Sequence, residues 1–168
     1  MPRRLLDRCQ PDSIHEFRLA ARRRYDDALT LAFSGRRTAS IYLLGYAAEM
    51  TLKAAYFYLV GLSEKLPITW SGHLLPAINR GRSLGIIWPN SGAGHNVRAW
   101  AELLIQVRAS SQVNSYSAAF GREVQRQGQR IEQHWRETLR YHKNHAYEYE
   151  LTQVRDSVEW YLVHSEDL

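Results

Sequence analysis

A chain of 168 residues with 45% hydrophobic content can bury a substantial core in one domain, and no internal repeat or linker divides it. Its formal charge of +5 rests on 19 Arg and only 3 Lys, a guanidinium-rich balance that suits phosphate and nucleic acid. The single cysteine, Cys9, excludes an intramolecular disulfide framework and a cysteine-based zinc finger.

Residues 1–11 read as an N-terminal arm. They are charged and lack the apolar run of a secretory signal, so a cytoplasmic setting is expected. Ser13 and Glu16 have capping-box spacing, which predicts a first helix. Ile14, Phe17, Ala21, Ala28 and Leu31 keep a helical period up to a stop at Gly35. On that helix Arg22–Asp26 and Arg23–Asp27 stand one turn apart and are expected to pair.

The stretch from Ala39 to about Val60 is so apolar that only Glu49 and Lys53 carry charge. A helix that is apolar on every side belongs at the centre of a bundle. Two charges near its middle argue against a membrane span. Glu49 and Lys53 are one turn apart and can pair, while Gly45, Ala48 and Ala55 offer an edge where another backbone can come close. Tyr56, Phe57, Tyr58 and Leu59 read as core packing.

Pro67, Gly72 and Pro76 mark a turn before a short helix around Leu74 to Leu84, and 85–96 reads as a loop. Gly81 to Gly85 spells a hydrolase elbow but lacks the strand that motif requires. Asn96 is placed to cap a helix carrying Val97, Trp100, Leu103, Leu104 and Val107. A further helical stretch, from about Ser117 to Trp135, is weakened by Gly121 and Gly128. On it Arg122, Arg126 and Arg130 form a basic stripe, either a solvated face or a track for an RNA backbone. Tyr147, Leu151, Val154, Val158 and Leu162 form the stripe of the last helix. No alternating strand pattern is evident, so the expected fold is all-α, an antiparallel bundle with a four-helix core and extra short helices.

The richest chemistry lies in WRETLRYHKNHAYEYE, residues 135–150. Arg136, Arg140, His142, Lys143, Asn144 and His145 crowd just before the last helix. Free backbone N–H groups and the dipole make a helix start attractive to phosphate. The same dipole disfavours a charged imidazole, so His145 could serve as a neutral base while an arginine holds the phosphate. The alternative is a polar loop with two surface histidines. A metal site on His142 and His145 lacks an evident third ligand, and no cofactor motif is present.

The stretch GYAAEMTLKA (Gly45 to Ala54), followed by Trp135 and the pair Arg140–Tyr141 before a final helix, resembles the HEPN domain over essentially the whole chain. The resemblance implies a compact helical bundle, commonly a homodimer. It also implies a metal-independent endoribonuclease of a toxin–antitoxin or defence system, or a relative that only binds nucleotide, RNA or a partner protein. The catalytic motif of such families is an arginine followed, after a short spacer, by a histidine. Arg140 with His145 matches it, and Arg136 with His142 is an alternative match. Tyr141 stands where active members usually place Asn, Asp or His, and an arginine–tyrosine pair is also typical of members in which it looks structural.

On that resemblance, an RNA 2′-hydroxyl would attack the neighbouring phosphate, with His145 as acid or base and Arg140 on the phosphate oxygens. Lys143, Asn144, Arg126 and Arg130 would hold RNA, and Glu49, Lys53 and Tyr141 would support the site. No cofactor or membrane is expected; a second copy of the chain and a cognate antitoxin protein are the expected partners.

Overall fold

The computed structural model describes residues 9–88, 94–111 and 117–168, and all the regular structure within them is helical. Six α-helices follow in order: α1 Ile14–Phe33, α2 Arg37–Leu59, α3 Leu75–Ser83, α4 Val97–Ser110, α5 Ala118–His134 and α6 Glu148–Val163. A π-helical turn, Trp70–Leu74, leads into α3, and a 3-10 turn, Glu137–Tyr141, follows α5. The expected all-α bundle is therefore what the chain forms. Residues 1–8 of the N-terminal arm and 89–93 of the loop expected at 85–96 lie outside the described residues.

The helix boundaries have local causes. The Ser13 hydroxyl accepts from the Glu16 amide at 3.1 Å, and the Asn96 side chain accepts from the Ala99 amide at 2.7 Å, each satisfying a donor with no partner inside its helix. Gly35 ends α1 at φ 72°, a left-handed conformation that a Cβ would disfavour.

Helix α2 packs against α1, α4 and α6, which explains its lack of a polar face. Residues 51–57 are buried without interruption. No described helix is long and apolar enough to cross a membrane. At Gly45 the close approach is made by an indole rather than a backbone: a Cβ there would fall 2.0–2.2 Å from ring atoms of Trp135. Trp135 is buried and donates its Nε1–H to the Tyr42 carbonyl at 3.0 Å.

Several expectations need correcting. Gly121 and Gly128 do not interrupt α5. Both are buried, and at Gly128 an added Cβ would meet Ala101 and the Tyr161 hydroxyl at 3.1 Å, so this glycine lets α4, α5 and α6 converge. Asp27 pairs with Arg24 at 2.7 Å rather than with Arg23. Tyr56 and Phe57 are core residues, but Tyr58 is exposed with the Arg18 guanidinium 5.2 Å from its ring centre. Helix α6 begins at Glu148, so the irregular segment 142–147 separates Arg140 from it. Arg140 sits in the 3-10 turn and not at the start of the last helix.

Candidate functional site

The segment 142–147 is held against the start of α2 by a reciprocal set of hydrogen bonds. The Thr38 hydroxyl accepts from the amides of His145 at 2.8 Å and Ala146 at 2.9 Å. The Asn144 side chain accepts from the Thr38 amide at 3.0 Å and donates to the Gly35 carbonyl at 2.8 Å. Arg37 and Glu148 pair at 2.6 Å across the same junction. Asn144 therefore clamps the α1–α2 turn, and both ends of its amide are engaged by backbone instead of being offered to phosphate.

This clamp shapes a cavity of about 330 Å³ at the mouth of α6. His142, Lys143, His145 and Tyr147 line it, with His134 from α5 and Glu150 from α6. His134 Nε2 lies 2.9 Å from the Gln153 side-chain oxygen, and its Nδ1 is 3.6 Å from Glu150. Glu150 also accepts from the Tyr147 amide at 2.7 Å. The cavity thus presents three imidazoles and an ammonium against one carboxylate that is already occupied.

Neither arginine of the expected pairs lines that cavity. Arg140 pairs with Glu137 at 3.1 Å, and its guanidinium lies 4.7 Å from the Tyr141 ring centre. Slight burial opposes its charge, but Tyr141, Glu137 and Tyr42 outweigh that and raise its pKa. Arg136 folds back on the carbonyls of Glu132 and Trp135, where it caps the C-terminal end of α5. The two histidines of the expected pairs come together, and their arginines stay outside. On α5, Arg126 pairs with Glu123 at 2.5 Å, and Arg130 is exposed.

Glu49 and Lys53 form the expected pair, at 2.5 Å, but away from the α6 mouth and almost fully buried. A third member joins them that sequence reasoning left in a loop. His95 Nδ1 stands 3.0 and 3.2 Å from the two Glu49 oxygens. The Lys53 ammonium lies 5.4 Å from the Trp100 ring centre. The hydrogen bond with Glu49 raises the His95 pKa; burial and Lys53 oppose it, and Glu137 adds to it. The 3-10 turn carrying Arg140 packs against α2 as well. A run of edge-to-face rings leads from Tyr42 to Tyr46 at 5.0 Å and from Tyr46 to His95 at 5.6 Å, and Tyr46 also meets Trp135, which precedes the 3-10 turn, at 5.6 Å. Burial, reinforced by Tyr42, pushes the Tyr46 hydroxyl pKa upward and keeps it protonated.

The Glu49–Lys53–His95 group forms part of the wall of a cleft of about 820 Å³ between the start of α1, α2 and the π-helical turn. The i,i+4 spacing of Glu49 and Lys53 was a signal for the pair. No comparable signal marks His95, because its partner lies 46 residues away. Comparisons with family models, curated proteins and solved structures return no match for this chain.

Proposed function

We propose that this protein is an RNA-directed helical module of HEPN type that cleaves single-stranded RNA without a metal at the mouth of α6. The observation that carries the reading is the convergence of His142, Lys143 and His145 on one cavity. In that arrangement one imidazole takes the proton of a ribose 2′-hydroxyl as its oxygen attacks the adjacent phosphorus. The other imidazole gives a proton to the departing 5′-oxygen. The products are a 2′,3′-cyclic phosphate and a free 5′-hydroxyl. Lys143 offsets the charge that gathers on the phosphoryl oxygens. The resemblance supplies the setting: a cytoplasmic homodimer in a toxin–antitoxin or defence system, held in check by a cognate antitoxin.

A second reading has its own support. Arg140 is tied to Glu137 and Arg136 to carbonyl groups, which favours a module that binds RNA or nucleotide and does not cut.

The test incubates the full chain with single-stranded RNA in EDTA, beside His142→Ala, His145→Ala, Lys143→Ala and Arg140→Ala. Each histidine variant is expected to lose cleavage by about 10²-fold or more, and Arg140→Ala by less than about tenfold. Binding without cleavage by the wild type leaves the second reading in place. A collapse of cleavage in Arg140→Ala instead restores the arginine–histidine pair, with the arginine delivered by a second copy.

A further inference from the structure

The 820 Å³ cleft is separate from the α6 mouth, and the proposed RNA chemistry does not use it. Its volume lies in the range of small-molecule sites. Its apolar and aromatic lining comprises Phe17, Met50, Trp70 and Leu74. Trp70 is 46% exposed, and the structure gives its ring no stacking partner among the described residues. Opposite in character are the ionisable groups. Arg23, Arg24, Lys53 and His95 share the lining with Asp12, Glu16 and Glu49. Lys53 is committed to Glu49 and Arg24 to Asp27. Arg23 has neither an ion pair nor a hydrogen bond among the described residues, although it lines the cleft.

His95 is the accessible member of the buried group: its side chain is 35% exposed, against 8% for Lys53 and 2% for Glu49. Glu49 engages Nδ1, which fixes the ring and leaves Nε2 as the nitrogen that can meet a ligand. A carboxylate buried only to steady Lys53 would not need an imidazole at 3.0 Å from its oxygen, at the edge of a cleft. The cleft thus combines a preorganised hydrogen-bond donor, a guanidinium unpaired among the described residues and an exposed indole.

We propose that this cleft is a second ligand site, taking a small organic anion whose charged head meets His95 and Arg23 and whose flat apolar body lies along Trp70 and Leu74. Asp12 and Glu16, at the start of α1, repel the head and so set the orientation of the ligand. A phosphate ester and a carboxylate offer the same head-group chemistry, and the experiment separates them. Binding follows the protonation of His95, which is faced by Glu49 and Lys53 from α2, by the Tyr46 ring, and by Glu137 from the 3-10 turn. Affinity therefore falls as pH rises through the elevated pKa of that imidazole.

Phenyl phosphate, benzoate, inorganic phosphate and the neutral benzamide would each be titrated into the full chain and its variants at pH 6 and pH 8, with affinity read by calorimetry and, where the imidazole is present, the His95 ring resonances followed by NMR. At least one aryl anion is expected to shift those resonances saturably and to bind more tightly at pH 6. Arg23→Gln and His95→Gln should each weaken it by about tenfold, the scale of one charge-assisted hydrogen bond. Arg23 is exposed, so its variant tests the site without disturbing the core. His145→Ala should bind as the wild type does, which keeps this site independent of the RNA-cleaving one. The proposal is overturned if neither aryl anion binds below about 10 mM, if benzamide binds as well as the tighter of the two aryl anions, or if Arg23→Gln and His95→Gln both retain full affinity.

Discussion

Glu49 is a buried carboxylate shared by two basic side chains. It is 2% exposed and holds Lys53 and His95 at hydrogen-bonding distance. Removing one partner of a buried pair leaves the other charged and desolvated, at a cost of about 3–5 kcal/mol. Glu49→Ala is therefore expected to lose about that much in urea unfolding. The double change Glu49→Leu with Lys53→Met should recover most of the loss, because it removes the stranded ammonium as well. His95 adds a pH dependence of definite sign. Its folded pKa lies above the ordinary histidine value because of the Glu49 hydrogen bond, so the folded state holds the proton more tightly than the unfolded chain. That contribution is complete below about pH 6.5 and disappears as pH rises through the folded pKa. Unfolding free energies of wild type and His95→Gln, measured from acid to alkaline pH, should differ most at the acidic end; a gap that widens with rising pH would contradict the assignment.

At the scale of elements, the α2–Trp135 contact is the joint that positions the 3-10 turn and the segment after it. Trp135 fits only because Gly45 has no side chain. Gly45→Ala improves helix propensity, yet its methyl would stand 2.0 Å from the indole and must displace it. Overpacking of this kind costs about 1–3 kcal/mol, so the variant should melt lower and show altered tryptophan fluorescence; a higher melting temperature would mean that the indole is not wedged there. The second joint is Thr38. Its hydroxyl serves two amides of the α6 mouth, and Thr38→Val leaves both without that acceptor. A loss of about 1–3 kcal/mol is expected, together with a fall in the proposed RNA cleavage, which that reading assigns in part to His145. Thr38→Ser should restore both properties.

Across the whole molecule, what the sequence revealed and what it concealed divide along the range of the interactions. The apolar run of α2, the Ser13 and Asn96 caps, the Gly35 stop and the Glu49–Lys53 pair all depend on neighbours within one or two turns, and each was legible. The contacts that decide the sites join residues far apart in the chain: His95 to Glu49, Thr38 to His145, Asn144 to Gly35 and Trp135 to Gly45. A spacing motif was therefore able to nominate His142 and His145, and it could not tell that their arginines would turn toward Glu137 and the end of α5. The same division predicts how stability is distributed. Helix α2 touches α1, α4 and α6 and lacks a solvent face through residues 51–57, so its amides there should open only with global unfolding. Segment 142–147 is largely exposed and is pinned at few points, so most of its amides should exchange early. His145 and Ala146 are the exceptions, because both amides donate to Thr38. Hydrogen exchange read by NMR should find these two protected amid fast neighbours. Thr38→Val should abolish that protection while the middle of α2 keeps its own, and fast exchange of both amides in the wild type would remove the clamp that shapes the α6 mouth.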